Sequence, residues 1–332
     1  MRRAGFLVAL VACVLCEGAA IDKQRHVTAD GTSRLAAVHL ESRRACDAVL
    51  ALRGGGNDAA AEAKEKLSSW WSSKTSGLAA MQKKTAVDPD RTKAAALLKK
   101  RGIANAGKAA DLLRGALKKD PDNAEIKLEL ADALNMVMRI KTNANSLVIE
   151  GVQETPAFKN IWRTLGGEAF PLASDARKAF PNSVKALAVY ADSFLYFSSS
   201  KGIVKQALTG VGKKYLAIAK ELYKHPEQDS FVGCAFLGGF YNVAPWPVGS
   251  KSKARQYLRE GAKKAPTRRN LYYAAVNAYQ MGEYTDARDF FSRALKAPPA
   301  KSATSTEDDF VEFILAESKR GLKLAEQALT AA

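Results

Sequence analysis

A spacing of small, large and small residues ahead of a proline recurs in the C-terminal part of this chain. Two sets of residues carry it: Ala254, Leu258, Gly261 and Pro266, and then Ala287, Phe291, Ala294 and Pro299. In each set the three residues before the proline are four and then three positions apart, so they lie on one face of a helix. Small side chains on this face admit a neighbouring helix, and the large one fills the space between the two helices. Proline then ends the helix because it has no N–H to donate. A recurring spacing of this kind predicts a stack of helical hairpins.

Copies of the spacing also precede Pro121 and Pro181. They are formed by Ala109, Leu113 and Ala116 in the first copy and by Ala169 and Ala176 in the second. The four prolines are separated by 60, 85 and 33 residues, so the longer intervals leave room for additional helices. One such helix is predicted over 203–223 and a last one over 307–331. Because no stretch alternates apolar and polar residues as a strand does, the sequence predicts an all-α fold of antiparallel helix pairs.

The chain is strongly basic, with 51 Lys and Arg against 34 Asp and Glu and a formal net charge of +17. The excess is spread along the chain, which favours anionic partners in general and shows no basic arm. Aromatic residues near the C-terminus fall at helical core spacing: Tyr272, Tyr273, Tyr279, Phe290 and Phe291. Because bases are read by aromatics interleaved with polar residues, sequence-specific binding of nucleic acid is not predicted.

Residues 1–20 are typical of a secretory signal peptide. Two arginines follow Met1, an apolar run extends from Phe6 to Cys16, and small residues end the segment. The run is too short to be a permanent transmembrane anchor. An alternative is a bacterial lipoprotein leader with Cys13 as the lipidated residue, which would place the protein in a periplasm.

Residues 21–56 are basic and contain several hydroxyl side chains. A segment of this composition behind a signal peptide resembles the transit part of the bipartite leaders of algae with secondary plastids, which implies entry into the secretory pathway and a plastid destination. Residues 57–90 are predicted to form an amphipathic helix and a linker. Trp70 and Trp71 in this helix either contact a membrane surface peripherally or help the helix lie on the solenoid. Residues 91–332 are then the helical repeat domain.

Reactive side chains are sparse. His26 and His39 lie in the leader region, and His225 alone cannot build a usual zinc site. Cys234 lies in an apolar run and is predicted to be a small buried residue. Gly210–Lys214 lacks the first glycine and the Ser or Thr of a phosphate-binding loop. The sequence therefore predicts a non-enzymatic protein that needs no metal and no cofactor.

A loop with two prolines holds Trp246. Because Pro245 and Pro247 restrict the backbone on both sides, the position of the indole is fixed by the chain. Such a residue is either a lid on a groove that takes a peptide or an apolar ligand, or a plug at the end of the superhelix.

These patterns together resemble a known family. Gly282, Tyr284, Ala287, Phe291, Ala294 and Pro299 resemble the second half of a tetratricopeptide repeat, although Leu271 and Ala274–Ala275 replace the signature Trp and the Leu-Gly pair of its first helix. The segment from Gly238 onward is similar to the divergent repeat proteins that include the TatT component of TRAP-type transporters and the regulators of microtubule dynamics. The resemblance implies a right-handed superhelix of antiparallel helix pairs.

The predicted fold and the family resemblance together suggest two functions. The first is a non-enzymatic scaffold that binds an acidic segment of a partner protein in its concave groove. The candidate groove residues are Tyr190, Phe194, Tyr241, Trp246, Arg269, Asn270 and Tyr273. The alternative, implied by the resemblance to TatT, is the binding or transfer of an apolar small molecule or lipid in the interior of the superhelix, which predicts a lined cavity or pore near Trp246.

Overall fold

The computed structural model describes residues 88–202, 209–300 and 305–331. The predicted signal peptide, the transit-like segment and the helix that contains Trp70 and Trp71 lie outside these residues. So do residues 203–208, which begin the helix predicted over 203–223.

The described residues form eleven α-helices. In chain order these are α1 (Pro89–Lys100), α2 (Ile103–Lys119), α3 (Ala124–Lys141), α4 (Pro156–Ala179), α5 (Val184–Ser199), α6 (Val211–Tyr223), α7 (Val232–Val243), α8 (Lys251–Lys264), α9 (Arg268–Gln280), α10 (Tyr284–Lys296) and α11 (Val311–Ala331). Each helix packs on its neighbours in the sequence, which gives consecutive pairs. The predicted all-α, tetratricopeptide-like solenoid is confirmed.

Alternate helices form a second set of contacts. α3 packs on α5, α7 packs on α9, and α9 packs on α11. We call α3, α5, α7, α9 and α11 the inner row, because the cavity described below lies among them. α2, α4, α8 and α10 pack on this row, α1 packs on α2, and α6 packs between α5 and α7.

The structure confirms the burial and the helix ends that the recurring spacing predicts. Its residues are buried in all four copies, and Ala254, Ala287 and Phe291 are completely inaccessible to solvent. The helices that carry it, α2, α4, α8 and α10, each end within three residues before one of the four prolines. Small residues therefore set the close approach of the paired helices, and the prolines set their ends.

Side-chain caps begin several of the helices. Asn123 accepts hydrogen bonds from the backbone N–H groups of Glu125 and Ile126 at the start of α3. Ser183 and Thr267 cap α5 and α9 in the same way. These caps satisfy N–H groups that have no partner within the helix, so they fix the starts of these three helices.

The segment between α3 and α4 departs from the prediction of a purely helical chain. It contains two short antiparallel strands, β1 (Leu147–Val148) and β2 (Gly151–Val152), which pair only with each other. Strands of two residues are too short for an alternating pattern to show in the sequence.

This insert, residues 143–152, reaches α9 on the C-terminal side of the array. The hydroxyl of Tyr272 donates to the Leu147 carbonyl at 2.6 Å, and the hydroxyl of Tyr273 donates to Ser146 Oγ at 3.0 Å. Gln280 Nε2 donates to the carbonyl of Ile149 at 2.8 Å. The N-terminal and C-terminal parts of the array are therefore joined across the interior of the solenoid.

The last helix begins later than predicted. α11 starts at Val311, and residues 307–309 form a 3-10 turn instead of its first turn. Glu307 and Asp309 in this turn are buried and accept hydrogen bonds from Arg269 and Arg139. The 3-10 turn therefore places the Glu307 carboxylate against the start of α9 and the Asp309 carboxylate against Arg139 of α3.

Candidate functional site

A cavity of about 560 Å³ lies among helices of the inner row. Its walls come from α5, α6, α7, α9 and the insert, and the loop 244–248 lies at its mouth. α3 contributes Arg139 at its C-terminal end. Protein interiors are otherwise packed with few voids larger than a water molecule, so a space of this size is a candidate binding site.

The walls of the cavity are mainly apolar. α7 presents one face to it through residues at intervals of three and four: Val232, Ala235, Phe236, Gly239, Phe240 and Val243. The ring of Tyr215 on α6 stacks on those of Phe236 and Phe240, with centroids 5.8 and 5.6 Å apart. Leu147 and Val152 of the insert line the cavity as well. A ligand in this space would be in contact mainly with hydrocarbon and aromatic groups.

Trp246 stands at the mouth. It is 89% exposed, and Val248 beside it is 49% exposed, although both line the cavity. The loop closes tightly at Gly249, where an added Cβ would lie 1.8 Å from the Ala244 carbonyl oxygen. An indole this exposed does not fill the end of the superhelix, and its role as a lid on a groove stays a prediction.

The inner end of the cavity is polar and is organised by Arg139, which is almost fully buried. Its Nε donates to Asp309 Oδ2 at 2.8 Å and its Nη1 donates to Asp192 Oδ2 at 2.7 Å. Asp309 also accepts a hydrogen bond at 2.8 Å from Arg101, at the end of α1. Burial acts to lower the pKa of Arg139, but Asp309 and Asp192 together raise it above its ordinary value, so the guanidinium stays charged.

Arg269 forms a second buried ion pair at this end. Its Nη1 donates to Asp229 Oδ2 at 2.7 Å, and Thr306 Oγ1 donates to the same carboxylate at 2.7 Å. Both Arg269 and Asp229 are 3% exposed as side chains. The pair holds the 229–231 loop, the start of α9 and residue 306 in one arrangement around the cavity.

Asp192 has an unusual ionisation. Burial raises its pKa to about 6, and this outweighs the opposite effect of Arg139; Asp229 and Asp132 add to the increase. Burial also raises the pKa of Tyr196, one helical turn further along α5. Perturbed groups that line a cavity are frequent at functional sites.

Three of the seven predicted groove residues line the cavity: Trp246, Arg269 and Tyr273. Asn270 is buried next to them, and its side-chain amide donates to the carbonyls of Ser230 and Ala265 at 2.8 and 2.9 Å. Tyr241 is also buried, and its ring stacks on that of Tyr257 with centroids 5.9 Å apart.

Tyr190 and Phe194 belong to a different group of side chains. With Phe170 of α4 they form an aromatic cluster, in which the ring centroids of Phe170 and Phe194 are 5.6 Å apart. Lys214 Nζ lies 5.1 Å from the centre of the Phe194 ring. The seven residues therefore do not form one continuous surface.

Sequence reasoning missed most of the polar end. Asp192, Tyr196 and Ser199 lie on one face of α5 and line the cavity, together with Asn145 of the insert. Their spacing of four and three residues in an otherwise apolar helix was a readable signal. The pairing of Arg139 with Asp309 was not readable, because 170 residues separate them.

Other reactive groups offer little chemistry. Cys234 is 1% exposed, and burial raises its pKa to about 12, so its thiolate is scarce at neutral pH. This confirms the prediction of a small buried residue. His225 lies beside Glu227, with Nδ1 and Oε1 3.2 Å apart. Within residues 88–202, 209–300 and 305–331, no group of three or more His, Cys, Asp or Glu side chains could hold a metal ion.

None of the helices in the described part of the chain is long and apolar enough to cross a membrane.

Comparisons with known proteins give matches among solved structures only. No family model matches the chain, and no curated protein matches it. The chain is similar to TTC0263, a thermophilic TPR protein of Thermus thermophilus, with 14% identity and a TM-score of 0.49 over 70% of this chain and 98% of that one. It is also similar to yeast Tom70, with 14% identity and a TM-score of 0.28 over 86% and 78% of the two chains. Similarity at this level supports no inference about function, and the fold assignment depends on the helix pairs themselves.

Proposed function

We propose that this protein is a non-enzymatic helical-repeat binding protein that holds a predominantly apolar small molecule or lipid in the cavity of the inner row. The observation that carries the proposal is the cavity itself, about 560 Å³ with largely apolar walls. This volume is within the range of about 300–1,000 Å³ that is usual for small-molecule sites.

The position of the cavity supports ligand binding over a packing defect. It lies between α5 and α7, which make few contacts with each other, and the insert reaches across the interior beside it. Aromatic rings of α6 and α7 are stacked along its wall. A solenoid that only needed stability would bring these helices together, because an apolar void of this size forfeits packing contacts.

Blocking the cavity tests the proposal. An added Cβ at Gly239 has no atom within 4 Å, and the residue lines the cavity, so Gly239→Leu would place a side chain inside it without a clash at Cβ. The matched control is Gly167→Leu on the exposed face of α4, where a Cβ also meets nothing within 4 Å. The readout is the fluorescence of N-phenyl-1-naphthylamine, a neutral apolar probe, together with native mass spectrometry of the purified full chain.

We expect the probe to bind the wild-type chain and the Gly167→Leu variant alike, and to bind Gly239→Leu about tenfold more weakly or worse. A ligand that co-purifies with wild type and is absent from Gly239→Leu would support the same conclusion. Equal probe binding by all three proteins, or no binding by any of them, would contradict the proposal.

A second candidate function is the binding of an acidic, partly apolar segment of a partner protein at the mouth of the cavity. Exposed Trp246 and Val248 favour it, because large apolar side chains at a rim are typical anchors of an interface. Lys213 also lines the mouth, is exposed, and has no ion-pair partner among the described residues.

The test is affinity capture with the full chain as bait, compared with the double variant Trp246→Ala/Lys213→Glu. A stoichiometric protein partner that is lost with the double variant and kept with Gly239→Leu would support this second function. A partner retained by the double variant, or none captured, would exclude the mouth as its binding surface.

A further inference from the structure

The loop at the mouth of the cavity exposes apolar side chains and holds them in place. Residues 245–248, Pro-Trp-Pro-Val, are all exposed, with Trp246 at 89% and Val248 at 49%. The loop closes on itself, because the backbone N–H of Val248 donates to the Pro245 carbonyl at 3.1 Å. The indole therefore remains in water within this chain, which is unfavourable for so large an apolar surface.

Lysines flank this loop, and the segments that carry them contain no acidic residue. Lys213 is exposed and lines the cavity together with Trp246. Lys253 is exposed in the first turn of α8, directly after the loop. The segments 201–220 and 230–259 together contain nine Lys and Arg and no Asp or Glu. The mouth of the cavity thus combines exposed apolar side chains with positive charge.

Carboxylates that reach these segments from other parts of the chain are already paired. Glu154, which lines the cavity, lies 2.9 Å from Lys159 Nζ. Glu283 lies 3.0 and 2.6 Å from the guanidinium groups of two arginines of α8. No carboxylate of the described residues lies within ion-pair distance of Lys213 or Lys253. These two lysines therefore leave uncompensated positive charge beside the exposed indole.

This combination fits a membrane surface better than a protein partner. A protein interface of standard size buries about 800 Å² on each partner and is depleted of lysine. Here the large apolar side chains are only Trp246 and Val248, and the uncompensated cations are lysines. Tryptophan favours the boundary between lipid headgroups and acyl chains, while lysine keeps its ammonium group among anionic headgroups. A bilayer also accepts a protruding indole without a matching pocket.

We propose that the loop 244–248, with Lys213 and Lys253, is a docking surface for an anionic lipid membrane, and that the mouth of the cavity faces this membrane. The inference rests on the proposed function and names the source of its ligand. A mainly apolar molecule is concentrated in a bilayer because its transfer into water is unfavourable. A mouth held against the bilayer would receive such a molecule without its passage through water.

The fluorescence of Trp246 provides the first test. The full chain with Trp70→Ala/Trp71→Ala keeps two tryptophans, exposed Trp246 and fully buried Trp162, and lacks the pair for which membrane contact is also predicted. With vesicles of phosphatidylcholine and phosphatidylglycerol in equal amounts, we expect emission at shorter wavelength and protection from iodide, a quencher confined to water. Vesicles of phosphatidylcholine alone should need about tenfold more lipid. No shift and no protection with the anionic vesicles would overturn the inference.

Co-flotation with the anionic vesicles tests the residues, in the same full-chain background. Trp246→Ala/Lys213→Glu should weaken binding about tenfold or more. The matched control is Ile103→Ala/Lys108→Glu, which makes the same kinds of change at two exposed positions of α2, a helix that does not line the cavity. It has the same net charge as the test variant and should bind like its parent. An equal loss in both variants would show that overall charge binds the vesicles, and would overturn the inference; circular dichroism checks that each variant is folded.

The outcomes separate this inference from the proposed function. Gly239→Leu alters the cavity and leaves the docking surface unchanged, so it should bind vesicles like its parent and bind N-phenyl-1-naphthylamine about tenfold more weakly. Probe binding without vesicle binding would overturn the docking surface and leave the proposed function standing. Vesicle binding that depends on Trp246, without any probe binding, would support the docking surface and contradict the proposed function. Capture of a protein through Trp246 and Lys213, with no protection by vesicles, would assign the surface to that partner and overturn the inference.

Discussion

The hairpins from α7 to α10 and the gap between α5 and α7 show two ways of filling the interior of one solenoid. In the hairpins, an added Cβ at Gly238 would lie 2.4 Å from the Leu258 side chain, and Phe291 lies against the backbone of Gly321. Between α5 and α7, Gly239 has no atom within 4 Å of such a Cβ. Two successive glycines of α7 therefore face a packed contact and an open space.

The difference shows what the small residues determine. A small residue allows a close approach, but contact forms only where the partner helix supplies a large side chain at the same level, as Leu258 does for Gly238. Gly239 has no such partner, since no atom lies within 4 Å of a Cβ placed there, and polar groups of α5 that line the same cavity are bonded to Arg139 and Asn145. The ion pair of Asp192 with Arg139 joins α5 to α3, so it does not draw α5 towards α7.

Removal of one phenylalanine from each region would test this contrast most strongly. Phe291 is completely buried among α9, α10 and α11, so Phe291→Ala should lower the free energy of unfolding by about 3–5 kcal/mol. Phe236 lines the cavity, and because the part of its side chain that faces this space packs on no protein atoms, Phe236→Ala should cost only about 2 kcal/mol. Urea denaturation followed by circular dichroism measures both. Equal losses would mean that the cavity is filled by protein.

Two glycines of α7 provide a smaller test within a single helix. A Cβ at Gly233 would lie 2.4 Å from Tyr223 Cα, which is backbone and cannot rotate away, so Gly233→Ala should destabilise by about 1–3 kcal/mol. Gly239→Ala meets open space and should be neutral or stabilising by up to about 1 kcal/mol, because alanine favours a helix. Thermal unfolding compares the two. A loss at Gly239 similar to that at Gly233 would contradict an open cavity.

The pH dependence of stability reports on the polar end. The pKa of Asp192 is raised in the folded state to about 6, above its ordinary value of 3.8, by burial and by Asp229 and Asp132, against the effect of Arg139. Between about pH 4 and 6 the folded state therefore binds more protons than the unfolded state, and the contribution of Asp192 to stability falls as pH rises, by about 1–3 kcal/mol in total.

The measurement is the free energy of unfolding of wild type minus that of Asp192→Asn, from pH 4 to pH 7. This difference should decrease through the window and level off above it, since Asn does not titrate. A difference that is constant with pH would show that the carboxylate is ionised throughout and well solvated.

The sequence predicted the helices better than the interior. Pro121, Pro181, Pro266 and Pro299 marked the ends of four helices because a proline acts on its own local backbone. The alanine spacing identified the buried faces for the same reason. Both are short-range signals, and they sufficed for an all-α repeat fold.

The site depends on contacts between distant segments. Tyr272 and Leu147 are 125 residues apart, and the sequence around neither residue predicts the hydrogen bond that joins the insert to α9. Arg269 and Asn270 were predicted for the groove, and the structure uses them to hold the 229–231 loop. Trp246 was found because two prolines restrict it locally, although its exposure could not be read from the sequence.

The smallest expected effect on stability concerns Trp246. With 89% of its surface exposed it contributes little to the core, so Trp246→Ala should change the free energy of unfolding by no more than about 0.5 kcal/mol. Trp162 is the internal contrast, since it is fully buried and its Nε1 donates to Thr142 Oγ1 at 3.0 Å. If Trp246→Ala weakens probe binding several-fold at unchanged stability, the indole belongs to the site and not to the fold. A loss of stability approaching that of Trp162→Ala would instead place the loop in the core, and the division between a packed array and an open cavity would no longer hold.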